Sequence, residues 1–470
     1  MSIGNTAWGA KEIDALLAGK RRLWFVGVGG VHMAALARLA LEEGFSVRGS
    51  DHVENEQVRK LREAGISVRV GHGDEGMENI EALVYTLAIS PDNPEYRYAK
   101  SHGIPVISRA DFLGFLMRRT PCRIGVSGSH GKSTVTSMLG EIFSLAGRAP
   151  TVVCGATMRR FGSAFVQGTG QDLLFEACEY KDSFLRFSPT VSLILNAELD
   201  HTDYFRDKAA LLRSFGAFAE LATKAVLLPQ EDGELWEATK HAKAPRLTFG
   251  WGEKAHYRGI EPRDCEGGAR FFFVPRGERP TLIALPVRGE HTIKNALAAA
   301  ATAHACGVET PVIEEALSRF RGVARRMEYK GRLRGARVYD DYAHHPTEVE
   351  ATLKVARKEA KGRVVAVFQS HTYSRTKAFL QELALALSKA DAVFIPDVYA
   401  AREQESDGAN GAALAAAVGA RARYTGGLST TATAVLEALR PDDLLVVMGA
   451  GDVGDIFAEF SAKGFTLDNK

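Results

Sequence analysis

From Leu23 onward the chain alternates apolar runs, glycine-bearing turns and stretches of helical period. "LWFVGVGG" reads as a strand and tight turn, "VHMAALARLALEE" as a helix closed by Gly44, and "FSVRGSD" as a second strand. Together they open a parallel α/β unit. "ALVYT", Ala82 to Thr86, is a further strand, followed by the Pro/Asn-rich loop "ISPDNPE". This first layer ends near "RRTPC", a charged, proline-bearing stretch before a new apolar run.

A second block begins with the strand "CRIGV" and passes through "GSHGKST" into a helix. Val135, Met138, Leu139, Ile142 and Phe143 recur there at helical spacing, and Gly147 is placed to cap the end. "DLLFEACE" and "TVSLILNAELDH" are apolar runs with acidic residues and a histidine at their C-terminal ends, where open parallel sheets collect ligands. A third block, after "GVARRMEYKG", alternates "RVYDDY", "VVAVF", "AVFI" and "LLVVM" with helical stretches such as "AFLQELALALSKA". "GAALAAAVGARA" reads as a packing helix without function. The expected class is α/β with three domains: a Rossmann-like N-terminal domain (1–119), a central P-loop ATPase-like parallel-sheet domain (120–324) and a Rossmann-like C-terminal domain (325–470). The length of 470 residues suits this division at about 150 residues per domain.

Charge and composition mainly exclude. Lys and Arg total 59 against 57 for Asp and Glu, a net charge of +2, so no global basic field calls for nucleic acid or a membrane surface. An anionic ligand must be recognised locally. The five cysteines form no C-x-x-C pair, which fits a reducing cytosol. There is no signal-type apolar region near the N-terminus and no run of 18 uninterrupted apolar residues, so a soluble, cytoplasmic protein is expected.

The chemistry concentrates at the sheet edges. The general phosphate-loop template G-x-x-x-x-G-K-[ST] wants a glycine where this chain has Val126. Gly128 and Gly131 nevertheless let backbone N–H groups approach phosphate oxygens, Lys132 adds a point charge at a helix start, and Ser133 can ligate Mg²⁺. Glu176 and His201, at the ends of neighbouring strands, can complete the coordination of that ion. Taken singly, each is a surface or hydrogen-bonded residue; beside a phosphate loop they read as metal ligands. "GVGG" with Asp51 has the place of a dinucleotide fingerprint, but His32 stands where the third glycine belongs, so the reading is a nucleotide-diphosphate site that need not accept NAD.

His291 and Asn295 lie four apart on one helical face, suited to a base or ribose or simply to capping. Arg325 and Arg326 fall at a domain joint, where an arginine can reach phosphates or serve as a solvated hinge. In "YDDYAHHPTEVEA", Asp340, Asp341, His344 and His345 follow a strand; the histidines are adjacent and lack a well-spaced third ligand, so zinc spacing fails. His371, Tyr373 and Arg375 form a set suited to a carboxylate or amine.

Taken in order, "GVGG" with "GSD", "GSHGKST", "EACEYKDSF", "NAELDHTDYF", "GEHTIKNA", "GVARRME", "DDYAHHPTE", "FQSHTYSRT" and "MGAGDVGDI" resemble the ATP-dependent Mur ligases of bacterial cell-wall synthesis, over Leu23 to Ile456. In that family the loop is typically G-x-x-G-x-x-G-K-[ST], which Gly125, Gly128, Gly131, Lys132 and Ser133 match. The resemblance implies ATP contacts at Gly128, Ser129, His130, Gly131, Lys132, Ser133, Thr134, His291, Asn295, Arg326 and Asp341. It implies a UDP-sugar site at Gly29, Gly30, His32, Ser50, Asp51, Thr86 and Ile89, Mg²⁺ on Ser133, Glu176 and His201, catalytic roles for Lys132, His201 and Arg326, and amino-acid binding at His344, His371 and Arg375. Three family members use a carbamylated lysine about fifteen residues after the metal histidine; Phe215 and Gly216 stand there, and with His130 this is similar to the alanine-adding branch. Cys178 stands where aspartate is common and Thr372 where arginine is frequent.

The implied partners are UDP-N-acetylmuramate and L-alanine, joined with ATP and Mg²⁺ through an acyl phosphate, by a monomer or a dimer. Three alternatives share parts of the pattern: a recycling ligase attaching an intact tripeptide to the same nucleotide sugar, an NAD(P)-linked oxidoreductase built on the first glycine loop, and a non-catalytic nucleotide switch.

Overall fold

The computed structural model describes residues 3–468 except 7, 402, 404 and 406–408. The first expected unit is a five-stranded parallel sheet in the order β3-β2-β1-β4-β5, formed by β1 (Arg22–Val26), β2 (Ser46–Asp51), β3 (Ser67–Val70), β4 (Ala82–Tyr85) and β5 (Val106–Ser108). Leu23, Phe25, Val84 and Ile107 are buried in the core on one face; Trp24, Val26, Leu83 and Tyr85 pack in a second cluster on the other, as a sheet covered on both sides requires.

The second sheet has ten strands in the order β15-β14-β13-β12-β11-β10-β6-β9-β7-β8. They are β6 (Cys122–Ser127), β7 (Thr151–Met158), β8 (Ser163–Val166), β9 (Asp172–Glu176), β10 (Val191–Ile194), β11 (Ala225–Pro229), β12 (Arg246–Gly250), β13 (Tyr257–Cys265), β14 (Gly268–Pro275) and β15 (Thr281–Leu285). Its centre is parallel, with β10 and β9 flanking β6; β8 is antiparallel to β7, and β13, itself parallel to β12, opens the antiparallel meander β13-β14-β15. The third sheet runs β16-β17-β21-β18-β19-β20, from β16 (Glu328–Leu333), β17 (Ala336–Asp341), β18 (Val364–Phe368), β19 (Ala392–Pro396), β20 (Ala422–Gly426) and β21 (Leu444–Met448); only β16 is antiparallel to its neighbour. The stretch "GAALAAAVGARA" divides: its helix stops at Val418, and Ala422 already belongs to β20.

The two joints differ in chemistry. The first and second sheets share one apolar core that runs from Phe25 and Phe112 to Phe175, Phe184 and Phe215. Within it the helix Arg109–Met117 approaches the turn Tyr180–Arg186 so closely that a Cβ on Gly114 would lie 2.1 Å from the carbonyl of Arg186. The second and third sheets instead meet through ions: Arg288 with Glu359 (2.7 Å), Lys358 with Asp264 (2.7 Å), Arg159 with Glu328 (3.0 Å) and Arg375 with Asp200. The crossover itself is held in an uncommon backbone form, with φ of 55° at Arg325 and 45° at Met327. Asp341 fixes it by accepting from the Met327 and Ala343 amides at 2.7 and 2.8 Å. No helix among the described residues is long and apolar enough to cross a membrane.

One buried group in the helix after the phosphate loop has no counterpart. Glu141 is 2% exposed and neither carboxylate oxygen has a hydrogen-bond partner. Burial pushes its pKa up to about 7, against the opposing pull of Arg160 and Arg321. Folding therefore takes up a proton between the ordinary glutamate range and about pH 7, and the stability present at low pH is lost as pH rises through that window. Glu141→Gln is expected to gain stability over the parent protein as pH rises, by on the order of 3 kcal/mol above pH 7. Paired thermal unfolding at pH 5 and pH 8 checks it; an equal difference at both pH values would contradict it.

Candidate active site

β6 ends at Ser127, and four residues separate it from the helix Lys132–Leu145. The loop between them turns on Gly128 and Gly131, with φ of 131° and 88°. A Cβ on Gly131 would lie 2.6 Å from Asn295 Oδ1, and one on Gly128 would lie 3.0 Å from Leu195 Cβ. Both positions therefore need glycine for conformation and for space. Gly125 differs from its reading as a loop glycine: it lies inside β6, where a Cβ would press on the Phe175 and Phe218 rings at 3.0 to 3.1 Å. Val126 beside it is a fully buried strand residue.

The loop is clamped from β10. Asn196 accepts from the His130 amide at 2.9 Å and donates to the His130 carbonyl at 3.0 Å, while Ser129 Oγ donates to the Glu198 carbonyl at 2.6 Å. The side chain of Ser129, expected at ATP, is thus committed to the loop. The amides opening the helix have no partner within it and form its positive end.

Lys132 Nζ is held by the Gly128 carbonyl and by Glu179, 3.1 Å away. Burial pulls its pKa down, but Glu179 and the neighbouring Cys178 and Glu176 more than reverse this and keep it protonated. Glu179 also lies 3.8 Å from His201 Nε2. His201 occupies a left-handed backbone position, φ 51°, with its amide donating to Asp200 at 2.7 Å. Glu176 ends β9 nearly buried and accepts from the Gly155 amide; a Cβ on Gly155 would lie 2.8 Å from its Oε2. The missing Cβ leaves space beside that carboxylate. Ser133, Glu176, His201 and Glu179 supply hydroxyl, carboxylate and imidazole donors, a set that fits Mg²⁺.

A cavity of about 1060 Å³ opens beside the loop. His130, Gly131 and Thr134 line it from the loop side, His291 and Asn295 from the helix Glu290–Ala305, and Arg326 and Asp341 from across the joint. Arg326 reaches Glu348 at 3.4 Å. Burial, with Arg326 nearby, lowers the pKa of His291, and burial raises that of Asp341 to about 6 against the pull of Arg326. Trp251, Pro286 and Arg288 complete part of the wall.

His344, His371 and Arg375 also come together. The two imidazole rings are 6.1 Å apart, and Arg375 Nη1 is 3.2 Å from His371 Nδ1. Burial lowers the pKa of His344 to about 4 and that of His371 to about 3, so both are neutral at pH 7. Arg375 gives Nε and Nη2 to Asp200, which belongs to the second sheet's edge. Thr372, with φ 66°, caps the helix that carries Arg375.

In the first domain, Gly29 donates its amide to Asp51 at 2.8 Å, and a Cβ on Gly29 would lie 2.9 Å from that carboxylate. Asp51 is thereby partly spent on shaping the loop. Gly30 caps the next helix, and Thr86 and Ile89 follow β4 at the same sheet edge. Ser50 is fully buried, with its hydroxyl 3.3 Å from His72, which follows β3. Burial, then Arg109, lower the pKa of His32 to about 4, with Glu176 opposing and Lys132 adding to the shift.

Glu179, Asn196, Glu198, Asp200 and Glu348 escaped the sequence reading. Four of them lie within motifs that carried the resemblance, "EACEYKDSF" and "NAELDHTDYF", and Glu348 ends "DDYAHHPTE". For the first four the signal was position just beyond a strand, whereas Glu348 lies inside the helix Pro346–Glu359. Phe215, in the place of the carbamylated lysine, is fully buried and packs edge-on against Phe184 at 5.7 Å.

Three parallel-sheet domains, with a phosphate loop in the second facing an arginine and an aspartate from the third, define a class of modular ligase. Residues 22–120 match the Mur ligase family catalytic domain, 126–303 the Mur ligase middle domain and 325–451 the Mur ligase glutamate ligase domain. The chain belongs to the Mur ligase family and is a ligase. It is 40% identical to the UDP-N-acetylmuramate--L-alanine ligase of Caldicellulosiruptor bescii, over 92% of this chain and 96% of that one. It is 36% identical to the ligase of the same name from Caldanaerobacter subterraneus, over 96% and 98%. The solved UDP-N-acetylmuramate-alanine ligase of Thermotoga maritima superposes with a TM-score of 0.80 at 26% identity, covering 94% of this chain and 99% of that one. A murein peptide ligase from Psychrobacter arcticus shares the fold, with a TM-score of 0.73 at 21% identity over 94% and 98%.

The Asp200 to Arg375 pair joins the second and third domains with both side chains nearly buried. Arg375→Ala leaves Asp200 uncompensated and is expected to cost about 3–5 kcal/mol, with part recovered in the Asp200→Ala, Arg375→Ala double variant. Denaturant unfolding of the three variants checks this; an unchanged midpoint in Arg375→Ala would contradict it.

Proposed function

We propose that the chain joins L-alanine to UDP-N-acetylmuramate at the expense of ATP, a step in making the peptidoglycan precursor. Residues 1–119 would hold the UDP-sugar, 120–324 ATP and 325–470 the amino acid. The observation that carries this reading is a cavity walled jointly by the phosphate loop, Asn295, Arg326 and Asp341. Extensive identity to ligases of that name supplies the substrates.

The ATP phosphates would lie along the helix that starts at Lys132. Lys132 exchanges Glu179 and the Gly128 carbonyl for phosphate oxygens and brings its charge with it. Ser133, Glu176 and His201 would hold Mg²⁺, which when bound neutralises charge on the phosphates. Arg326 reaches the same space from the third domain and stabilises the charge that spreads over the transferring phosphoryl group. Transfer to the lactyl carboxylate of the sugar nucleotide gives an acyl phosphate and ADP. The alanine amine then attacks the acyl carbon, and the tetrahedral intermediate expels phosphate to leave the amide.

Arg375 would meet the carboxylate of the amino acid by exchanging Asp200 for it. The neutral imidazoles of His344 and His371 beside them add hydrogen-bonding atoms without adding charge. Cytoplasmic location and the absence of nucleic-acid or membrane partners follow from this reading.

Lys132→Ala is expected to lower ATP-dependent phosphate release by at least about a hundredfold, since it removes a charge aimed at the transferring group. Release in the parent protein should require Mg-ATP, UDP-N-acetylmuramate and L-alanine together. Faster turnover with intact tripeptide than with L-alanine would favour the recycling reaction instead, and release independent of the sugar nucleotide would overturn the reading.

A further inference from the structure

Adjacent histidines in "YDDYAHHPTEVEA" lack zinc spacing, yet the fold supplies the missing ligands from two other segments. His130 of the phosphate loop, Glu198 after β10 and His345 at the start of the helix Pro346–Glu359 each bring one donor atom to a common point, all within 4.8 Å of one another. His130 Nε2 is 3.3 Å from Glu198 Oε2, and His345 Nδ1 is 3.9 Å from the same oxygen. Ligands of a tetrahedral ion with bonds of about 2.0–2.1 Å stand roughly 3.3 Å apart, so small side-chain movements suffice.

The second nitrogen of each imidazole is already engaged. His130 Nδ1 is 3.3 Å from Glu348 Oε1, and His345 Nε2 is 3.3 Å from the Leu199 carbonyl. Ligating histidines characteristically give their outer N–H to a carboxylate or a backbone carbonyl, which fixes the tautomer and aims the other lone pair. Thr347 Oγ1 donates to Glu198 Oε2 at 2.6 Å and fixes the carboxylate in turn. Two contacts oppose an ion: burial lowers the pKa of His130 but Glu198 and Glu348 raise it to about 9, so an ion must displace the proton on Nε2, and the Thr347 amide approaches His345 Nδ1 at 3.4 Å as a helix cap that an ion would replace.

We propose that His130, Glu198 and His345 bind a divalent ion of the zinc class, leaving one coordination position open. The set is distinct from Ser133, Glu176 and His201, whose two oxygen donors and single nitrogen suit magnesium. Two imidazoles and one carboxylate favour zinc, cobalt or nickel. Because His345 comes from the third domain and the other two from the second, the ion pins the third domain onto the phosphate loop and forms part of the cavity's rim, where His130 and Glu198 stand.

The test uses the full chain, stripped with a chelator and titrated with Co²⁺ in excess Mg²⁺ without nucleotide. The visible absorption of a four- or five-coordinate cobalt centre should appear at one equivalent and be displaced by Zn²⁺. Glu198→Gln and His345→Asn, the latter keeping a helix-capping side chain, are each expected to weaken binding by more than tenfold, with folding verified by circular dichroism. Glu348→Gln should weaken it by about 10- to 100-fold through the tautomer of His130. His201→Ala should leave the signal unchanged. Absence of a signal in the parent protein, undiminished binding by folded Glu198→Gln and His345→Asn, or loss confined to His201→Ala would each overturn the proposal.

Discussion

The site depends on the absence of a side chain at Gly131. Its backbone, at φ 88°, turns the chain from β6 into the helix that starts at Lys132, and the space a Cβ would take is occupied by the Asn295 carboxamide. One contact thereby fixes the phosphate loop to the helix Glu290–Ala305, far along the sequence. The positive end of the Lys132 helix, the wall of the cavity and the position of Lys132 all follow from that close packing. Asn196 and Ser129 hold the other side of the loop, so it is shaped before any ligand arrives.

Around this fixed centre the domains are attached by unlike means. The first shares an aromatic core with the second, and repacking that many buried rings would be costly. The third touches the second mainly through ion pairs, most of them partly exposed, and such contacts can be exchanged for water at little net cost. The cavity lies at this second joint. A ligase that must admit three substrates and then exclude water from an acyl phosphate needs one joint that holds and one that can be remade. The strained crossover at Arg325 to Met327, held by Asp341, places the arginine that crosses the joint beside the carboxylate that shapes it.

Local pattern made much of this visible in the amino-acid order. The strands β1, β18 and β21 are nearly continuous apolar runs because both faces are buried, and the phosphate loop advertises itself through glycine, lysine and serine at fixed spacing. The antiparallel meander β13-β14-β15 and the edge strand β20 alternate or carry charge, so their sequences resemble loop as much as strand. Gly125 looked like part of the loop because spacing cannot separate a glycine that meets phosphate from one that meets Phe175. Glu179, Glu198 and Glu348 escaped assignment for a related reason: a carboxylate acquires its role from what faces it, and Lys132, His345 and His130 come to face them only through the topology.

The central claim is that ATP activates a carboxylate as an acyl phosphate before the amine attacks. Oxygen-18 placed in the lactyl carboxylate of UDP-N-acetylmuramate tests it most directly, with the released inorganic phosphate analysed by mass spectrometry. One labelled oxygen per turnover in the phosphate is the predicted result, because the bond broken in the second step lies between the acyl carbon and the bridging oxygen. Phosphate that carries no label while the amide forms would contradict the account.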